Sequence, residues 1–93
     1  MDAIRFSALI RYWSPEKASG LAVADVPPEL VGAFGGLSQQ HVAGTIDSRP
    51  FGSNVMPAGG GRLAISVSKA MQTAAEKSIG DVAAFEVTSF GRG

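Results

Sequence analysis

Ala24-Asp25-Val26-Pro27-Pro28-Glu29-Leu30-Val31 and, forty-one residues further on, Ile65-Ser66-Val67-Ser68-Lys69-Ala70-Met71 follow one plan. In each, an extended apolar run breaks into a helix start. Pro28 suits a first helical position, where its missing N–H has no partner to lose, and Glu29 suits the positive end of a helix dipole. Ser68 stands where an N-cap side chain accepts from first-turn N–H groups. Each unit is preceded by one strand pattern and followed by another. A strand-strand-helix-strand order used twice predicts a mainly β fold, a small closed or double-split β-barrel of about six strands with two short helices capping its open ends. The halves of this pseudo-repeat are about 4–47 and 48–90, within a single domain, 1–93.

Outward from these units the patterns are regular. Ile4, Phe6, Ala8, Ile10 and Tyr12 alternate with Arg5, Ser7, Leu9, Arg11 and Trp13, the period of a strand with one buried face. Pro15 and Gly20 mark a turn, and Leu21 to Val26 resumes the extended pattern, so the first two strands should pair antiparallel. Leu30, Val31 and Phe34 form the apolar stripe of a helix of about two turns, closed by Gly35 and Gly36. Gln39 to Asp47 and Phe51 to Met56 read as a hairpin, although Asp47-Ser48 is a poor sponsor of the positive φ that a tight turn demands. Pro57 and Gly59-Gly60-Gly61 read as a mobile connection to a fifth strand, Arg62 to Val67. Ala70, Met71, Ala74 and Ala75 carry the second helix through about Lys77. Gly80-Asp81 then turns the chain into a last strand, Val82 to Phe90, and Arg92 and Gly93 should fray.

Ninety-three residues bury about 60% of their unfolded surface, enough for one modest core. Eight Lys and Arg balance eight Asp and Glu with no run of one sign, which disfavours nucleic acid and anionic membranes as partners. With no cysteine and one histidine, neither a disulfide framework nor a zinc set can be assembled, and no metal or cofactor is expected. No apolar run is long enough to span a bilayer and the amino terminus does not read as a signal peptide, so a cytoplasmic location is the expectation.

The central pieces Gly44-Thr45-Ile46, Pro50-Phe51, Met56-Pro57, Gly59-Gly60-Gly61-Arg62, Val67 with Lys69-Ala70, and Gly80-Asp81-Val82 resemble, in order and spacing, an uncharacterised bacterial small-barrel family, a domain of unknown function. The likeness covers roughly Ile4 to Thr88. Members of that family occur alone or ahead of a helical segment described as bacteriocin-protection, YdeI or OmpD-associated. The resemblance implies a barrel capped by short helices and no established reaction. This chain departs from the family pattern with Leu21 and Val23 in place of an aromatic pair, Ser48 and Glu76 in place of glycines, and Gln72 in place of an arginine. Val67 to Val82 is also similar, over a shorter span, to the helix-then-Gly-Asp unit of AbrB-like swapped-hairpin barrels.

The candidate ligand-binding residues are Gly59, Gly60, Gly61, Arg62 and Lys69. Successive glycines let backbone N–H groups converge on an anion, and Arg pairs two oxygens at once. An intervening strand puts Arg62 and Lys69 about 17 to 20 Å apart, so they would share only an extended ligand such as a peptide or oligonucleotide. A plain flexible loop is the competing reading. His41 has no Cys, Asp or Glu beside it in sequence and reads as structural. Asp81 reads as a turn former and Glu29 as a helix-dipole partner, not as an acid-base pair. Ser53 and Asn54 project to opposite faces of one strand, where ladder bonding is their expected use. Trp13 with Arg11, Arg49, Arg62 and Lys69 would offer a stacking platform to a nucleotide, but only seven aromatics are present and a core needs most of them. No catalytic residue is named. The function expected is a non-enzymatic binding or interaction module for a small polar ligand or a protein. The alternatives are an AbrB-like DNA-binding regulator and a small hydrolase or isomerase.

Overall fold

Six antiparallel strands close into a barrel in the order β1-β2-β5-β4-β3-β6. They are β1 (Ile4–Tyr12), β2 (Ala22–Asp25), β3 (Gln40–Ile46), β4 (Arg49–Gly59), β5 (Arg62–Ser66) and β6 (Val82–Gly91). A 3₁₀ helix, Pro28–Phe34, links β2 to β3, and α1, Lys69–Ala75, links β5 to β6. The computed structural model describes residues 3–14 and 20–91; Pro15, Arg92 and Gly93, assigned above to a turn and a frayed end, lie outside them. Exchanging β1 with β4, β2 with β5 and β3 with β6 leaves the set of strand neighbours unchanged, a property that a pseudo-twofold barrel must have.

Alternation along β1 buries Ile4, Ala8 and Ile10, while Phe6 and Tyr12 on the same face stay half-exposed. The fully inward positions Ile10, Ile46, Leu63 and Ile65 form the core with Phe34 and Met71 delivered by the two helices. Phe85 stacks on Phe6 with ring centroids 5.3 Å apart and meets Phe51 edge-on at 6.0 Å. The buried Gln40 side chain donates to the Phe34 carbonyl at 2.6 Å and so satisfies the end of the first helix.

Several local features differ from the sequence expectation for identifiable reasons. The first helix is 3₁₀, with Leu30 N–H bonded to the Pro27 carbonyl three residues back; a seven-residue segment interrupted by Gly32 has little to gain from α geometry. α1 stops at Ala75, two residues early, because Glu76 adopts the left-handed conformation at φ 55° and its N–H turns back to the Gln72 and Thr73 carbonyls. The glycine run is a tight hairpin, not a mobile connection: β4 continues through Pro57 to Gly59, and Gly60 and Gly61 sit at φ 61° and 76°, the two positive values that a two-residue hairpin turn requires. Pro57 adjoins a register shift, where a missing N–H costs the ladder least. Asp47 and Ser48 form the second such turn at φ 47° and 69° despite their side chains. Asp47 is held from outside, its N–H donating to the Ala84 carbonyl at 2.8 Å and its Oδ1 accepting from Ala84 N–H at 2.9 Å.

At one place two strands nearly touch. β3 and β6 change register between Ala43 and Gly44, Thr88 being the extra residue on β6. A Cβ on Gly44 would overlap the Glu86 carbonyl oxygen and lie 2.9 Å from its carbon, so only glycine fits.

Candidate functional site

The β2–β5 ladder ends with Val67 N–H donating to the Ala22 carbonyl at 2.9 Å, and the chain then turns into α1. Ser68 caps that helix, its Oγ accepting from Met71 N–H at 3.1 Å while its own N–H reaches the Met71 sulfur at 3.4 Å. The cap fixes Lys69 and Gln72 beside the end of β1 and the start of β2. Between them lies a cleft of about 440 Å³, with Lys69 and Gln72 on one side, Tyr12 and Leu21 on another, and Ile79 from the loop after α1. Gln72 Nε2 is already turned to the Val67 carbonyl at 3.4 Å. Among the described residues the Lys69 ammonium makes no ion pair and the Tyr12 hydroxyl makes no hydrogen bond. Lys69 and Tyr12 therefore line the cleft without a polar partner among the described residues.

Several other charged groups are used by the fold. Arg5 and Glu86 pair at 2.5 Å along a second, more open groove of about 400 Å³ that Phe6, Ser48 and Phe85 also line. Arg11 grips Asp25 with two bonds, Nε to Oδ2 at 2.7 Å and Nη2 to Oδ1 at 2.9 Å. These hydrogen bonds hold the Asp25 carboxyl below its ordinary range against the opposing effect of burial, with the charges of Arg11 and Arg62 adding to them, and they raise Arg11 in turn. Lys77 Nζ lies 3.5 Å from Asp47 Oδ2. Asp81 accepts from the Ser78 N–H at 2.9 Å and so locks its turn, and Ser53 Oγ donates to the Ser66 carbonyl at 2.5 Å, extending the ladder. His41 is exposed on β3 opposite Asn54 and Gly91. Among the described residues no three His, Cys, Asp or Glu side chains converge on a metal position.

Gly59, Gly60, Gly61 and Arg62 stay together at the exposed tip of the β4–β5 hairpin, where Arg62 Nε folds back to the Gly59 carbonyl at 3.4 Å. Lys69 sits past the other end of β5, in the cleft, so this one site residue is separated from the other four. Other cleft residues, among them Tyr12, Leu21, Gln72 and Ile79, come from β1, the approach to β2 and the α1 region, which the β1–β2 and β2–β5 pairings assemble. Lys69 is the one cleft residue named from the sequence; Tyr12, a polar-tipped residue at the end of the inward row of β1, carries the signal that could have added a second. The outer face carries a further feature: Leu9 faces Val82 across β1–β6, and Trp13 meets Leu21 through its N–H at 2.8 Å. All four are between 38% and 56% exposed and project from one side, so Trp13 is a surface residue and not part of the core.

No helix among the described residues is long and apolar enough to cross a membrane. No curated protein matches the chain. A family model does match, over residues 6–87, and it spans all six strands and both helices except for the outer ends of β1 and β6. By that match the chain belongs to the family described as a domain of unknown function (DUF1905).

Proposed function

We propose that the chain is a non-enzymatic binding module that holds a small polar or anionic ligand in the cleft beside Lys69. The observation that carries this reading is the pair of donors, the Lys69 ammonium and the Tyr12 hydroxyl, lining one cleft without partners among the described residues. Pockets of this size hold small molecules, with a few polar groups fixing orientation and apolar walls supplying contact. Binding fits this cleft better than acid-base catalysis, because among the described residues its lining has no carboxylate or imidazole to act as partner to Lys69 or Tyr12 in moving a proton. The hairpin at Gly59, Gly60, Gly61 and Arg62 adds a second contact only to an extended ligand, which is the arrangement a DNA-binding role would need. Inorganic phosphate, acetate, a nucleotide and a short oligonucleotide, each titrated into isotope-labelled protein, test the reading through backbone amide shifts. The small anions should move Lys69 and Gln72 and leave Gly59 to Arg62 in place. Absence of shifts at Lys69 and Gln72 with every ligand would overturn it.

A further inference from the structure

Resting on that reading, we infer that the cleft selects an amphipathic monocarboxylate: one carboxylate for Lys69 and an apolar body against Leu21, Ile79 and the Tyr12 ring. Among the described residues Lys69 is the single charged one of the lining, a charge set that matches one negative charge better than two. A nucleoside polyphosphate would enter with two or more charges unpaired, at a desolvation cost that a lone ammonium does not offset. Ser68 and Gln72 add polar surface beside Lys69, while Leu21, Ile79 and Tyr12 supply apolar surface. Leu21 remains 44% exposed although the first three residues of the β2 strand it precedes are buried, and Ile79 is half-buried, so a ligand body placed against them covers apolar surface the fold leaves wet. The Tyr12 ring supplies a flat wall, and its hydroxyl is a second donor for a carboxylate oxygen. A carboxylate pairs with the Lys69 ammonium, while an aryl or alkyl tail covers apolar surface of Leu21 and Ile79 that a bare ion cannot touch.

Phenylacetate, acetate and phenethylammonium separate charge from apolar body. Phenylacetate should bind at least about tenfold more tightly than acetate, the gain being apolar contact, and phenethylammonium at least about tenfold more weakly than phenylacetate. In Leu21→Ser the advantage of phenylacetate over acetate should shrink while acetate still shifts the Lys69 amide. In Lys69→Gln the preference for phenylacetate over phenethylammonium should vanish, and Arg62→Gln should leave all three affinities unchanged. If acetate and phenylacetate bind equally and both shift Lys69, the ligand class is wrong while the binding site stands. If neither shifts Lys69, the binding site itself is wrong. Equal affinity for phenethylammonium would overturn the role given to charge.

Discussion

Replacing Gly44 by alanine should destabilise the barrel far more than the same substitution eight residues away at Gly52. Both glycines lie in the β3–β4 hairpin, where Gly44 faces Phe51 and Gly52 faces Ala43. Their outward surroundings differ completely. A Cβ at Gly44 overlaps the Glu86 carbonyl oxygen and comes within 3.0 Å of the Val87 Cα, whereas a Cβ at Gly52 meets nothing within 4 Å. The obstruction is backbone and cannot rotate away, so β3 and β6 must separate along a six-pair seam. Overpacking of this kind costs about 1 to 3 kcal/mol, and a backbone clash belongs at the upper end. Against a total of about 5 to 14 kcal/mol for a domain of this length, 3 kcal/mol lowers the thermal midpoint by about 12 to 24 °C. Gly52→Ala should instead raise stability by about 0.4 to 1 kcal/mol, because alanine has less unfolded-state freedom to lose. Circular dichroism melts and urea titrations of the two variants and the parent give both numbers. A Gly44→Ala midpoint within 2 °C of the parent, allowing only about the noise of such melts, would refute the close approach of β3 to β6.

Phe51→Ala should cost about 3 to 5 kcal/mol, since the ring is nearly buried and packs edge-on against Phe85; an unchanged urea midpoint would place Phe51 outside the core. Glu76→Gly should gain about 0.5 to 1 kcal/mol by relieving a non-glycine residue at φ 55°, after the extra unfolded-state freedom of glycine is deducted, and a loss of stability would contradict the left-handed cap. Asp25→Asn should cost at most about 1 kcal/mol at neutral pH, because both partners of the Arg11 pair keep about a third of their surface in water. The sign with pH follows from the lowered Asp25 value: the wild-type advantage is full above about pH 4, the unfolded carboxyl range, and disappears as pH falls through the folded value. The urea midpoints of wild type and Asp25→Asn should therefore lie closer together at pH 2 than at pH 7, and a gap that widens in acid would reverse the assignment.

Features governed by local chemistry were readable in advance. The inward rows of the strands follow from alternation, the start of α1 from Ser68, and the entry to the first helix from Pro28, all of them i to i+4 effects. Features governed by tertiary contact were not. Asp47-Ser48 is a poor turn in isolation, yet Ala84 on β6 supplies two bonds that hold it, and nothing in the local sequence announces that partner. The glycine run looked mobile because three glycines favour no single conformation, but β4 and β5 pairing on either side leaves only a two-residue turn. The same division holds at the site. Lys69 was visible as a cation at a helix start, while Tyr12 and Leu21 join it only because β2 pairs with both β1 and β5. Glu76 and Ser48 stand in left-handed conformations where the resemblance implied glycine, which ties those two departures to backbone geometry.

Intermolecular nuclear Overhauser effects between bound phenylacetate and the protein test the central claim most directly. Ring protons of the ligand should show contacts to the Tyr12, Leu21 and Ile79 side chains, with its methylene near the Lys69 side chain, and Lys69→Gln should remove them. Contacts arising instead from the hairpin at Gly59 to Arg62, or from the groove at Phe6 and Phe85, would contradict the assignment of the Lys69 cleft as the binding site.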